Sequence, residues 1–137
     1  MADTVASKTL METKKRLVVR ASIQSDGTGS TDAVLVDKST FTGPNGLEPS
    51  KLVIEEIEWN GDGMQVILEF DHNTDDLICT LGGTNSNAGE YDFAEGSKYQ
   101  GFVDPASTGG TGDIVATTVG HTAGDKMDMV LYLRKKD

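Results

Sequence analysis

With 137 residues and a formal charge of −10, the chain suits one domain that buries its own core. Hydrophobic residues make up 36% and charged residues 25%, which excludes a disordered chain, and no apolar run approaches the ~20 residues of a membrane-spanning helix. The acidic balance excludes general nucleic-acid binding, which needs a basic footprint to release counterions.

The N-terminal "MADTVASKTLMETKKR" lacks the apolar centre of a signal peptide. A single cysteine, Cys79, rules out an intrachain disulfide framework and fits synthesis in a reducing compartment. Residues 1–8 read as a short polar arm, with one domain over 9–137. The segment around Thr9–Glu12 carries a capping-box spacing as well as strand character. A strand, a turn at "METK" and a second strand is the preferred reading, over a short helix.

Strand patterns then dominate. In "RLVVRASIQ", Leu17, Val19, Ala21 and Ile23 alternate with Arg16, Arg20, Ser22 and Gln24. "SDGTGSTD" turns the chain, "AVLVD" is a strand, and "STFTGPNGLEPSK" is a surface loop. "LVIEEIEW" is a strand that ends with Ile57 and Trp59 on one side. "NGDG" follows, the turn chemistry of a tight hairpin, leading into "MQVILEF". "DLICTLGG" places Leu77, Cys79 and Leu81 on one face, and "YDFAEG" is a short edge strand. The last hairpin runs from Ile114–Val119 through "GHTAGD" to Met127, Met129, Leu131 and Leu133. Seven to nine strands without a long helix predict an all-β, single-domain antiparallel β-sandwich of jelly-roll type. Leu17, Val19, Ile23, Val66, Leu68, Phe70, Leu131 and Leu133 are the expected core.

No motif carries clear chemistry. "DHNTDD" places Asp71, Asn73 and Asp75 at alternate positions, as in the start of a calcium loop. It lacks the central glycine, and Gly82 stands where the bidentate Glu belongs. A solvated turn is the better reading, and Asp26 with Asp32 in "SDGTGSTD" is a weaker cation candidate still. His72, His121 and Cys79 have no zinc-ligand spacing, so the histidines read as exposed loop residues and Cys79 as core. The glycines of "STGGTGDI" precede a strand and not a helix, which excludes a phosphate-binding loop. Glu55, Glu56 and Glu58 read as a solvated strand face. Trp59, Tyr91 and Tyr99 could form a sugar platform, although a lone Trp in a sandwich is more often core. Neither an enzyme, a cofactor nor a metal is expected.

"SKTLMETKKRLVVRASIQSDGTGSTDAVLVDKSTF", together with the closing "TGDIVATTVGHTAGDKMDMVLYLRKK", resembles small structural proteins of tailed bacteriophages. The shared layout is an "S-x-T-L" start, an "LVV" strand, a "DGTG" turn, a "VLVD" strand and a last "T-x-G-x-T-A-G-D" segment ending in lysines. "YDFAEGSKYQGFVDPAS" departs furthest from it. The resemblance implies a non-catalytic virion protein made in the host cytoplasm. Within that class it favours a capsid decoration, or cement, protein on the head surface. Its partners would be the major capsid protein, copies of itself in a homo-oligomer, or both, with no nucleic acid or membrane. A neck, tail or baseplate component is the alternative, and a carbohydrate-binding sandwich a more distant one.

Charge distribution suggests where such a partner binds. Nine of the twelve basic residues lie in the first twenty or last twelve positions, while Lys38, Lys51 and Lys98 face eighteen acids between. Strand parity puts Lys14, Arg16 and Arg20 on one outward face, and Lys126, Arg134 and Lys136 on another. If the two strands are neighbours, these residues form one basic patch, with Val18, Val130 and Tyr132 supplying apolar contact. The competing reading is that the lysines protect an edge strand from aggregation.

Overall fold

A computed structural model describes residues 3–29, 31–82, 88–93, 101–105, 109–119 and 122–136. Ten strands form two antiparallel sheets: β1 (Thr4–Glu12), β2 (Arg16–Gln24), β3 (Ala33–Val36), β4 (Lys51–Asp62), β5 (Gln65–Phe70), β6 (Asp76–Gly82), β7 (Ala88–Asp92), β8 (Phe102–Val103), β9 (Ile114–Val119) and β10 (Lys126–Lys136). The larger sheet runs β1-β2-β10-β4-β7, with β8 also beside β4, and the smaller runs β3-β9-β5-β6. Without β1 and β8, these are two four-strand sheets with the double Greek-key order of a jelly roll. The expected fold class holds, with ten strands among the described residues against the seven to nine expected.

Alternation built the core as the sequence indicates. All eight expected residues are at most 2% exposed, and Leu52, Ile54, Ile57, Leu81, Ile114, Met127 and Met129 join them. Trp59 also belongs to this cluster. Cys79 lies in it too, and burial pushes its thiol up to about 12, so the thiol stays protonated at neutral pH.

Several local expectations are corrected. Residues 4–8 are not an arm: they are the first half of β1, which pairs along β2 from Thr4 opposite Gln24 to Glu12 opposite Leu17. The turn falls at 13–15, just after the expected position. "NGDG" does not close a hairpin. Asn60 to Asp62 still belong to β4, and Gly63, at φ 84°, starts a corner that carries the chain into β5 on the opposite sheet. Nor are β9 and β10 a hairpin, since each lies in a different sheet. Glycine-rich turns bend a chain either way; which sheet receives the next strand depends on where apolar area can be covered. Leu77 is 58% exposed, because the β5–β6 register shifts between Leu68 and Glu69 and brings Ile78 inward. The second half of "YDFAEG" and both His121 and Tyr99 lie outside the described residues.

Candidate functional site

The expected binding residues sit mainly on the outer face of the larger sheet, and the register arranges them. β2 and β10 are neighbours, with Arg16 opposite Arg134, Val18 opposite Tyr132 and Arg20 opposite Val130. They do not form one basic patch. Lys14 lies in the 13–15 turn. Lys126 and Lys136 stand at opposite ends of β10, roughly 33 Å apart at the usual strand rise. Between them the outward residues of β10 are Asp128, Val130, Tyr132 and Arg134.

Arg16 and Arg134, like charges directly opposed, are reconciled by Glu55. The β4–β10 register shifts between Tyr132 and Leu133, which makes Glu55 the extra residue of a bulge. Its carboxylate bonds the Arg16 guanidinium through Oε1 and lies 3.6 Å from Arg134 Nη1 through Oε2. Lys135 points the other way. It is buried, and its Nζ donates to Glu12 Oε2 at 2.7 Å, the Thr13 carbonyl at 2.7 Å and the Thr42 carbonyl at 2.8 Å. The terminal run "RKK" is therefore one ion-paired arginine, one buried structural lysine and one exposed lysine. Edge protection does not explain it, because β10 is flanked by β2 and β4.

The centre of the face has a different character. One rung crosses all five strands: Lys8, Arg20, Val130, Glu58, Glu90. The next reads Met11, Val18, Tyr132, Glu56, Asp92. Across about 19 Å, four strand spacings, the first rung passes from cationic to apolar to anionic and the second from apolar to anionic. Its middle is an open trough bordered by Leu10, Arg20, Val130, Glu58 and Glu90. Leu10 and Met11 are 51% and 46% exposed, a large apolar area for an edge strand. Among the described residues no ion pair is formed by Lys8, Arg20, Glu58 or Glu90.

The acidic side repels itself. Glu56 is held above the usual carboxylate range, by desolvation first and then by its neighbours Glu90, Glu58 and Asp92. The Tyr132 phenol is likewise raised, by desolvation and then by the Glu58 and Glu56 carboxylates. Lys8, Glu56, Glu58, Glu90 and Asp92 were not legible as members of one face. The outward parity of Glu56 and Glu58 can be read from "EEIEW", but not which strands flank them.

The other candidate groups are held separately. Asp71 accepts from Thr111 Oγ1 at 2.8 Å, while Asp75 accepts from the His72 backbone N–H at 3.0 Å and clusters with Asp32 and Glu69. Asp26 accepts from the backbone N–H and hydroxyl of Thr28 and is not a member of that cluster. His72 is not an exposed loop residue: its side chain is 7% exposed, and Nε2 lies 2.7 and 2.9 Å from the two carboxylate oxygens of buried Asp104. Tyr91 stacks on Phe93 and donates to the Thr80 carbonyl, while Trp59 packs inward, so these two do not share a platform. No protein-family model matches this chain, and no curated protein matches it.

Proposed function

We propose that this chain is a non-enzymatic structural protein of a tailed-phage virion, a decoration protein that adds to the outside of the head shell. The outer face of its larger sheet is the protein-binding surface. The observation that carries the reading is the central rung, where cations and carboxylates that form no ion pair among the described residues flank an apolar column on one face of the sheet. Such an arrangement suits docking: the charges steer approach and set register, and the apolar centre supplies adhesion. The likeness of both chain ends to small phage structural proteins points the same way. Lys8, Arg20, Val18, Val130, Tyr132, Glu58 and Glu90 are then the contact residues, while Arg16 and Arg134 shape the face through Glu55.

The test is to add purified protein to DNA-free heads, sediment them, and count copies per particle by quantitative mass spectrometry. Saturable binding in many copies per head is expected. Binding to tails in a few copies, with none on heads, would replace this reading with a tail or baseplate role.

A further inference from the structure

The charge pattern of this face is complementary to itself. Two copies can meet outer face to outer face around a two-fold axis lying between them. If the axis runs across the strands, β2 faces β2 and like charges collide. If it runs along β10, β2 faces β4 of the other copy and β1 faces β7. The order Lys8, Arg20, Val130, Glu58, Glu90 then reads backwards on the opposing sheet. Arg20 meets Glu58, Lys8 meets Glu90, Val130 meets Val130, and each ionic contact occurs twice, as an isologous interface requires.

We infer that this face binds a second copy of the same chain, forming a two-fold dimer with its axis along β10. The inference rests on the reading that the outer face is the protein-binding surface, and it names the partner of that face. Three observations favour a copy over an unrelated partner. The face carries both signs in nearly equal measure, whereas the body of the chain is strongly acidic. An acidic partner would be repelled by Glu56, Glu58, Glu90 and Asp92, and a basic one by Lys8 and Arg20. Finally, the apolar residues Val130 and Tyr132 lie on the strand that the axis follows, where both copies bury the same side chains.

The pairing has limits set by its size and by like charges that meet on the axis. Strand spacing and rise give a footprint of roughly 500 Å² per copy, below the ~800 Å² of a standard interface. Asp128, also outward on β10, faces its own copy two residues from Val130, and Lys126 and Arg134 do so further out. Two packed sheets cross at about 30°, which separates the strands away from Val130 and lessens these repulsions. The dimer is therefore weak in dilute solution. It would be favoured where many copies are held close together, as on a shell.

The experiment is a charge exchange read by sedimentation equilibrium and native mass spectrometry on the full chain. The parent should dimerise in a salt-sensitive way, because exposed ion pairs are screened within about 8–10 Å at 0.1–0.15 M salt. Arg20→Glu alone sets Glu against Glu58, and Glu58→Arg alone sets Arg against Arg20, each twice per dimer. Each variant should lose about tenfold or more in self-association. Mixed in equal amounts, the two variants should recover a dimer containing one of each, since every contact is again opposite in sign. Recovery on mixing cannot arise from two misfolded chains, and circular dichroism of each variant checks the fold independently. The inference is overturned if the parent is monomeric at high concentration, if either folded variant dimerises as the parent does, or if the mixture stays monomeric. A monomeric parent that still coats heads would overturn the dimer and leave the proposed function intact. A dimer that ignores heads would do the reverse.

Discussion

Replacing Lys135 by Met tests the most specific feature of the C-terminal strand. The methylene stem keeps its packing, but the three charge-assisted donations to Glu12, Thr13 and Thr42 disappear. Glu12 is 38% exposed at its side chain, so water can re-solvate it and that contact is worth little, on the order of 0.5 kcal/mol. The two carbonyls lose an ammonium donor inside the fold, at about 1–2 kcal/mol each. The sum is about 2.5–4.5 kcal/mol, a large share of the roughly 5–15 kcal/mol that holds a domain together. For a chain of this length that corresponds to a fall of about 9–16 °C in melting temperature. Lys136→Met is the control: Lys136 is exposed on the opposite face, so a change within about 0.5 kcal/mol is expected. Urea unfolding followed by the single tryptophan, Trp59, measures both. Equal, small losses at the two positions would refute the buried-lysine assignment and with it the parity of the strand end.

Phe70, fully buried and stacked on Phe102 at 6.0 Å, should cost about 3–5 kcal/mol when truncated to Ala; a loss below ~0.5 kcal/mol would place it outside the core. Asp32, Glu56, Glu69 and Asp113 are all held above their ordinary values of 3.8 for Asp and 4.5 for Glu, in each case by desolvation first. The folded chain therefore binds their protons at higher pH than the unfolded chain does. Stability falls as pH climbs from those ordinary values through the raised ones. Asp26, lowered by its hydrogen bonds from Thr28, opposes this only below its ordinary value. The melting temperature should be higher at pH 5 than at pH 7, and a steady rise from pH 5 to pH 7 would contradict it. Asp71, Asn73 and Asp75 should confer no calcium dependence on stability, because Asp71 and Asp75 are held by separate partners. A rise of several degrees in melting temperature on adding millimolar calcium would reverse that assignment.

What the sequence determined by itself is the part that depends on neighbours two residues away. Alternation is a local property of an extended chain, so it identified the inward residues of β2, β5 and β10 without reference to any other strand. It also told correctly that Glu56 and Glu58 face outward. Alternation breaks at a bulge, and the Glu55 and Ile78 shifts depend on the strand opposite. Leu77 was accordingly misplaced, and the bridge between Arg16 and Arg134 went unseen. Turn residues mark where a chain bends, not which sheet it enters, so "NGDG" looked like a hairpin where the fold makes a corner. Composition could not tell that Lys135 is buried while Lys136 is exposed. That distinction arises because the 13–15 turn and the loop at Thr42 close over one side of the strand end. The candidate face belongs entirely to the tertiary structure. Lys8, Arg20, Val130, Glu58 and Glu90 come from five strands of which only β1 and β2 are consecutive in the chain, and only the β-ladder register sets them in one row.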